Sequence, residues 1–198
     1  MYYDYLKSNL CESVTDAGAH SLSINSPISR PSPPPPPQTP PHAGATSFIS
    51  LYDLVSSLDA RRKAEWDRLW MISDSRSDVV HPLIYNHPVT EKETLCFHLG
   101  MTDAFAVDYD VARRQADRLC NENETSAILR EIHEEITRGQ REKIYHHEWK
   151  PGELIISDNL AVGHEATPDT QLPVSRVGLR VLHRTTVEGT VPPAKKRN

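Results

Sequence analysis

The chain is 198 residues long, which is the length of one domain with room for a tail. Its formal net charge of −5 argues against nucleic acid or an anionic membrane surface as a partner of the whole chain. The three cysteines lie far apart and form no CxxC pair, so the sequence predicts neither a zinc ribbon nor a disulfide framework and favours a reducing, cytoplasmic location. No run of about 18 apolar residues is present, so no membrane span is predicted.

Residues 1–41 are predicted to form a disordered, proline-rich segment outside the folded domain. Nine of the sixteen prolines lie between Pro27 and Pro41, and the run from Pro33 to Pro37 is unbroken. Such a run adopts polyproline II, which can dock an SH3- or WW-type module or can act as a stiff spacer. The composition leaves both roles open.

Residues 42–193 are predicted to form the folded domain, beginning with a short strand, and residues 194–198 a basic tail. Ser50 and Asp53 have the spacing of a capping box, and the apolar residues that follow recur at helical intervals, which predicts a first helix. Asp59 is suited to cap a second helix. That second helix is predicted to carry three large side chains, Trp66, Leu69 and Trp70.

The middle of the domain is predicted to contain both strands and helices. Two prolines hold His81–Pro88 extended, and Glu93–Leu99 alternates between apolar and polar residues as a strand does. Asp110–Leu119 is predicted to be a helix. Thr125–Arg138 is predicted to be a longer amphipathic helix that ends at Gly139.

Two strands are predicted in the C-terminal part. Leu154–Ile156 is a short apolar run between turn signals, which predicts a buried strand. Residues 179–187 alternate so that Arg180 and Arg184 share one face. These arginines, shortly after the lone His164, could form an anion site beside a metal ligand or could be two solvated side chains. The order of elements indicates an α+β fold around an antiparallel core.

One candidate set of metal ligands follows from spacing alone. His146 and Glu148 lie in an extended stretch, where residues two apart share a face. With His164 they would form a set of two histidines and one carboxylate, which suits iron(II). The alternative is a polar lead-in to the next strand. HExxH, Walker, GxGxxG and GxSxG motifs are absent from the sequence.

Four blocks of the chain match a known family. The motif W-x-x-G-D-x-x-x-x-D-N-x-x-x-x-H is matched, with Glu in place of its first Asp, by Trp149, Gly152, Glu153, Asp158, Asn159 and His164. The motif R-x-x-H-R-x-T-V-x-G is matched by Arg180, His183, Arg184, Thr186, Val187 and Gly189. Residues 81–90 match an HPVVRTHPVTG segment and residues 43–46 a GGxT segment. On these blocks the chain resembles the TauD/TfdA-like (taurine dioxygenase) family of iron(II)- and 2-oxoglutarate-dependent oxygenases.

The resemblance implies a distorted double-stranded β-helix, or jelly roll, with flanking helices. It implies that His164 binds iron(II), that Arg180 grips the far carboxylate of 2-oxoglutarate, and that Thr46 also contacts this co-substrate. Arg184 is implied to lie near the anionic groups of co-substrate and substrate. The implied reaction is hydroxylation of a small organic substrate with O₂, in a sulfonate-type or specialised-metabolite pathway.

The chain departs from the family pattern upstream of Thr46. The family's other two iron ligands come there as His-x-Asp, whereas His20 is followed by Ser21 and Leu22. His20 is therefore a candidate ligand without the carboxylate, and the jelly roll is expected to be incomplete, lacking the N-terminal part of the family domain. The alternative is a catalytically inactive family remnant, or a binding or scaffold protein. No sequence feature selects an oligomeric state.

Overall fold

The computed structural model describes residues 22–27, 44–73, 79–139, 141–150, 153–177, 182–187, 191 and 193–195. The strands in these ranges are β1 (Leu22–Pro27), β2 (Thr46–Ser50), β3 (Leu69–Ser73), β4 (Val80–Pro82), β5 (Ile84–Asn86), β6 (Glu93–Leu95), β7 (Thr102–Asp110), β8 (Gln115–Leu119), β9 (Tyr145–His147), β10 (Ile155–Asp158), β11 (Val162–Ala166) and β12 (Leu182–Val187). The helices are α1 (Leu51–Ser57), α2 (Ala60–Asp67), α3 (Glu122–Gly139) and α4 (Val174–Val177), with 3₁₀ turns at Arg141–Lys143 and Pro168–Gln171.

The described strands pair antiparallel in four groups. β1 lies between β10 and β12, here called the β1 sheet, and β2 lies between β11 and β9, here called the β2 sheet. A four-stranded sheet has the order β4-β3-β7-β8, and β5 pairs with β6. This is the α+β architecture that the sequence predicts. No pairing among the described residues joins the four groups into one closed jelly roll.

Both predicted helix caps are confirmed. The Ser50 hydroxyl accepts a hydrogen bond from the Asp53 backbone N–H at 3.2 Å, and the Asp59 carboxylate accepts one from the Arg62 N–H at 2.8 Å. The second helix is shorter than predicted, because the chain leaves the helix after Asp67 and pairs as β3 with both β4 and β7. Leu69 and Trp70 therefore lie on a strand, where pairing on both sides overrides their helical spacing.

The predicted helix over Asp110–Leu119 is wrong. One Asp110 carboxylate oxygen accepts hydrogen bonds from the backbone N–H groups of Ala112 and Arg113, at 2.9 and 3.0 Å. These bonds favour a turn over a helix. Arg114 then takes a positive φ of 52°, and the chain returns as β8 alongside β7. Local helix propensity is outweighed here by the pairing of two strands.

Helix α3 is confirmed and begins before its predicted start. Asn121 and Glu124 form a reciprocal pair of hydrogen bonds. The Asn121 side chain accepts one from the Glu124 backbone N–H at 3.0 Å, and the Glu124 carboxylate accepts one from the Asn121 backbone N–H at 2.8 Å. The predicted apolar face, Leu129, Ile132 and Ile136, is buried. No helix among the described residues is both long enough and apolar enough to cross a bilayer.

The hydrophobic core lies where α1, α2 and α3 meet the four-stranded sheet and the segment from Leu83 to Leu99. Its fully buried members include side chains from every one of these elements. Each large apolar side chain moved out of water contributes about 1.5–3 kcal/mol. Among the fully buried side chains are Leu54, Trp66, Met71, Leu83, Phe105 and Ile132.

Three large apolar residues at the β1 sheet are exposed. Ser157 of β10 is buried, but Leu154 and Ile156 are 54% and 61% exposed, and Val187 of β12 is 47% exposed. The strand predicted at Leu154–Ile156 is present as β10, but the prediction that its apolar residues are buried is wrong for Leu154 and Ile156. Burial of a short apolar run depends on what packs against it, which the run itself does not encode.

Two described segments lie outside the predicted folded domain and are nevertheless paired. β1, within residues 1–41, forms the centre of a sheet. In the predicted basic tail, the Ala194 carbonyl accepts from the Asn86 N–H at 3.1 Å, and the Lys195 ammonium lies 3.3 Å from the Asp67 carboxylate. The polyproline run and the last three residues lie outside the described residues.

Candidate functional site

The β2 sheet brings Thr46 and His164 onto one face. In the pairing of β11 with β2, His164 stands opposite Phe48 and Ala166 opposite Thr46. Side chains two residues apart on a strand share a face, so Thr46, Phe48 and His164 all project from the same side. Thr46 and His164 are diagonal neighbours across the two strands, close enough for one small ligand to touch both.

Phe48 supports the imidazole of His164. The ring centroids of Phe48 and His164 are 6.0 Å apart, and the centroid of Tyr145 lies 6.4 Å from that of Phe48 on the other side. His164 is half-buried, whereas Tyr145 is 61% exposed. The imidazole therefore leans on an aromatic ring that restricts its orientation and keeps water from one of its sides.

Thr46 is held by a residue that follows β9, the third strand of the same sheet. The indole Nε1 of Trp149 donates a hydrogen bond to the Thr46 hydroxyl at 2.9 Å, and Thr46 is 6% exposed. The ring of His147 meets the Trp149 ring edge-on, with centroids 4.6 Å apart. Because an indole N–H can only donate, this contact fixes Trp149 as donor and Thr46 as acceptor, and it orients the threonine hydroxyl.

The ligand set His146, Glu148 and His164 is wrong. His146 stands opposite Ser47, one position away from Phe48, so strand alternation turns it to the face opposite His164. There its Nδ1 lies 2.9 Å from the Ser47 hydroxyl. Among the described residues, no group of three or more histidine, cysteine, aspartate or glutamate side chains is arranged to hold a metal ion.

The carboxylate nearest to His164 in sequence also projects from the opposite face. Glu165 stands opposite Ser47, and burial raises the pKa of its carboxyl. A raised pKa reflects the cost of desolvating the charged form without a compensating cation. Glu165 is therefore adjacent to His164 along the chain but is not its partner on the Thr46 face.

The residue before His164 allows β11 to lie close to its neighbours. A Cβ atom added at Gly163 would stand 3.1 Å from side-chain atoms of both Ile49 and Leu51. That separation is shorter than an ordinary carbon–carbon contact. Glycine at this position lets the strand that carries His164 pack directly against the start of α1.

Asp158, the acidic residue of the D-N pair in the sequence motif, is bound to a buried histidine. The Nδ1 of His87 accepts hydrogen bonds from the backbone N–H groups of Val89 and Thr90, at 3.2 and 3.1 Å. With Nδ1 as acceptor, the proton of a neutral ring resides on Nε2, which lies 2.8 Å from an Asp158 carboxylate oxygen. His87 is 4% exposed.

Two further side chains bind the turn that follows Asp158. The hydroxyls of Tyr85 and Thr94 both donate to the Leu160 carbonyl oxygen, at 2.6 and 3.0 Å. Sequence reasoning missed these contacts, which join residues far apart in the chain. The signal that could have pointed to them was the match of two separate blocks, one containing His87 and the other Asp158.

The other predicted site residues fall partly outside the described residues. His20 and Arg180 lie outside them. Arg184 belongs to β12, where its backbone is in register with Asn25 of β1, which in turn is in register with Ile155. The predicted C-terminal strand is confirmed over β12. The structure thus brings Thr46 and His164 together, while the roles assigned to Arg180, Arg184 and His20 stay predictions.

The described residues fit an iron(II) site only in part. His164 offers an imidazole next to the buried hydroxyl of Thr46, which suits one metal ligand beside one co-substrate contact. A facial triad requires a second histidine and a carboxylate. Those two ligands are not among the side chains that the structure describes around His164.

Solved structures of dioxygenases share this fold. A putative alpha-ketoglutarate-dependent taurine dioxygenase from Burkholderia xenovorans is 24% identical with a TM-score of 0.66, and the match covers 93% of this chain and 58% of that one. A taurine dioxygenase from the same organism is 25% identical with a TM-score of 0.63, covering 87% and 54%. AAD-2, solved in complex with Mn(II) and N-oxalylglycine, is 20% identical with a TM-score of 0.65, covering 98% and 73%.

The chain therefore spans little more than half the length of the two Burkholderia proteins. At the level of sequence, the model of the family "Taurine catabolism dioxygenase TauD, TfdA family" matches residues 37–186. This range includes β2, β11 and the turn bound by His87. The chain belongs to the TauD, TfdA family of dioxygenases.

Proposed function

We propose that this chain acts as an iron(II)- and 2-oxoglutarate-dependent dioxygenase that hydroxylates a small organic substrate. The observation that carries the proposal is that Thr46 and His164 project from one face of the β2 sheet. These are the residues to which the family resemblance assigns a 2-oxoglutarate contact and an iron ligand. We further propose a cytoplasmic location, a distorted jelly roll around the site, and a role in sulfonate or specialised metabolism.

The residues have separate tasks in this proposal. His164 holds iron(II) through its imidazole, which Phe48 orients. Arg180 binds the far carboxylate of 2-oxoglutarate, because a planar guanidinium can donate two parallel hydrogen bonds and fix the orientation of the carboxylate. Thr46, oriented by Trp149, makes a second contact to the co-substrate. Arg184 attracts the anionic groups of co-substrate and substrate.

Bound iron(II) and 2-oxoglutarate would supply the oxidising chemistry with O₂, placing one oxygen atom in the substrate C–H bond and the other in succinate with release of CO₂. The protein's own contribution is binding and exclusion of water. The part-buried Thr46–Trp149 contact and the Phe48 ring shield the co-substrate side from water in this proposal. His20 is the proposed second histidine ligand.

A catalytically inactive binding or scaffold protein is the second candidate. The observation that favours it is that the sequence contains no His-x-Asp triplet. Without a carboxylate ligand, a site holds iron(II) weakly. In this candidate, the polyproline run Pro33–Pro37 docks a partner module, and the sheet that carries His164 has a structural role only.

One titration distinguishes the two candidates. Anaerobic protein is titrated with iron(II) and then with 2-oxoglutarate, while the metal-to-ligand charge-transfer band of the ternary complex is recorded and succinate is assayed after air is admitted. An oxygenase gives the band and forms succinate. Absence of both contradicts the oxygenase and favours the inactive protein.

Two arginine variants refine the same titration. Arg180→Ala should weaken 2-oxoglutarate binding by about tenfold or more, the loss expected for a charge-assisted bidentate pair. Arg176→Ala is the matched control, because Arg176 is an exposed arginine of the short helix α4. Equal affinities in both variants would refute the role of Arg180 without refuting metal binding.

A further inference from the structure

Three buried side chains from one segment bind the turn that leads into the strand of His164. We call this arrangement the clasp: Tyr85, His87 and Thr94 on one side and the turn 158–161 on the other. His87 binds the Asp158 carboxylate, and Tyr85 and Thr94 bind the Leu160 carbonyl. All three clasp side chains are nine-tenths or more buried, at 2%, 4% and 1% exposure.

The turn is also fixed from within and from α1. The Leu160 N–H donates to the other Asp158 carboxylate oxygen at 2.9 Å, and the Ala161 N–H donates to the Asp158 carbonyl at 3.1 Å. The Leu51 N–H, at the start of α1, donates to the Ala161 carbonyl at 2.9 Å. Asp158 is therefore satisfied on both oxygens, one toward its own turn and one toward His87.

The position of the turn in the topology gives the clasp its significance. β10 belongs to the β1 sheet and β11 to the β2 sheet, so the chain changes sheets within residues 158–161. His164 follows three residues after this change. The conformation of the turn therefore sets where β11 starts and in which register His164 reaches the Thr46 face, since a shift of one residue would turn it to the other face.

We propose that His87 is a positioning residue for His164, acting through Asp158 and the turn. In this proposal the clasp ties the strand that carries His164 to the buried core around Tyr85 and Thr94. The expected effect of His87 on metal affinity rests on the proposed function, whereas its expected effect on the order of β11 does not. A purely structural role is the competing explanation, in which loss of His87 would loosen the whole fold equally.

Two isosteric variants separate the two nitrogen atoms of His87. Asparagine can place its side-chain oxygen near the position of Nδ1, so His87→Asn keeps the acceptor for Val89 and Thr90 but loses the contact to Asp158. Glutamine can place its amide nitrogen near the position of Nε2, so His87→Gln keeps the contact to Asp158 and loses the local acceptor. The matched pair thus removes one partner at a time.

Hydrogen–deuterium exchange tests the proposal without a metal. His87→Asn should raise exchange of the peptide covering residues 159–166 by about tenfold, the effect of one lost buried hydrogen bond on local opening, and should leave α3 unchanged. His87→Gln should exchange like the natural protein in residues 159–166. Unchanged exchange in His87→Asn, or an equal rise in β11 and α3, would overturn the proposal.

Metal titration then adds the functional half of the test. If the natural chain binds iron(II), His87→Asn should weaken binding by about tenfold, and His87→Gln should restore most of it. Equal weakening in both variants overturns the positioning role. If the natural chain binds no iron(II), the proposed function fails, and the exchange experiment by itself decides whether the clasp orders β11.

Discussion

The hydrophobic core within residues 51–136 and the described apolar side chains of the β1 sheet differ in their burial. In the first region, Leu54, Met71 and Phe105 are 0% exposed. On β10 of the β1 sheet, Ile156 is more than half exposed, as is Leu154 directly before this strand. Area removed from water is the main stabilising term, so the buried core contributes more to stability than these exposed residues of the β1 sheet do.

The candidate site lies between these two regions. His164 is on β11, which follows the turn through which the chain leaves the β1 sheet. The clasp connects this turn to Tyr85 and Thr94, which belong to the buried region. The start of the strand that carries His164 is thereby joined by hydrogen bonds to the buried region.

The largest effect is expected for a core truncation. Phe105→Ala should lower the free energy of unfolding by about 3–5 kcal/mol, because it removes a fully buried ring and leaves a cavity. Ile156→Ala is the control, with a change of about 0.5 kcal/mol or less at an exposed position. Urea unfolding measures both. Equal losses would break the contrast between the two regions.

The next effect concerns the shared acceptor in the clasp. Tyr85→Phe and Thr94→Val should each cost about 1 kcal/mol of unfolding free energy, since the Leu160 carbonyl keeps one donor in either variant. The double variant leaves this carbonyl with neither donor. It should cost about 1–3 kcal/mol more than the sum of the two single-variant losses. A double-mutant cycle measures the excess, and strictly additive losses would show that the two hydroxyls act independently.

A pH effect is expected from His81 in the buried region. Burial lowers the pKa of the His81 imidazole, so the folded state takes up this proton less readily than the unfolded chain. The contribution of neutral His81 is therefore fully present above the unfolded pKa of about 6.5 and is lost as the pH falls below it toward the folded pKa. Urea unfolding at pH 7.5 and 5.5 should show a smaller acid loss in His81→Gln than in the natural chain. Identical losses would mean that His81 does not contribute in this pH range.

The smallest effect on stability is expected at the exposed apolar residues. Combined Leu154→Ser and Ile156→Ser should change the free energy of unfolding by about 0.5 kcal/mol or less, because both side chains already face solvent. The same change should reduce binding of a hydrophobic fluorescent dye to the folded protein. A stability loss comparable to that of Phe105→Ala would show that this face is buried in solution.

Local signals in the sequence predict much of the first region. The side chains of Ser50 and Asp59 cap helices at the expected positions, and the apolar residues of α3 fall on its buried face. These features depend on contacts within a few residues. The helix predicted over Asp110–Leu119 fails because pairing of β8 with β7 outweighs local propensity.

The candidate site is less accessible to local reasoning. Alternation along β9 does not reveal that His146 projects away from His164, because this depends on register with β2. The contact between His87 and Asp158 joins residues that are 71 positions apart. Only the match of both blocks to one family connected these segments, and that match carried no information on which atoms bind each other.

The most direct test of the proposed site is the ternary complex with a histidine variant. Anaerobic protein with iron(II) and 2-oxoglutarate should give the charge-transfer band, and His164→Ala should abolish it. His133→Ala is the matched control, since His133 is a half-buried histidine of α3. We expect a band in the natural chain and in His133→Ala but not in His164→Ala. A band that persists in His164→Ala would contradict the assignment of His164, and no band in the natural chain would contradict the proposed function.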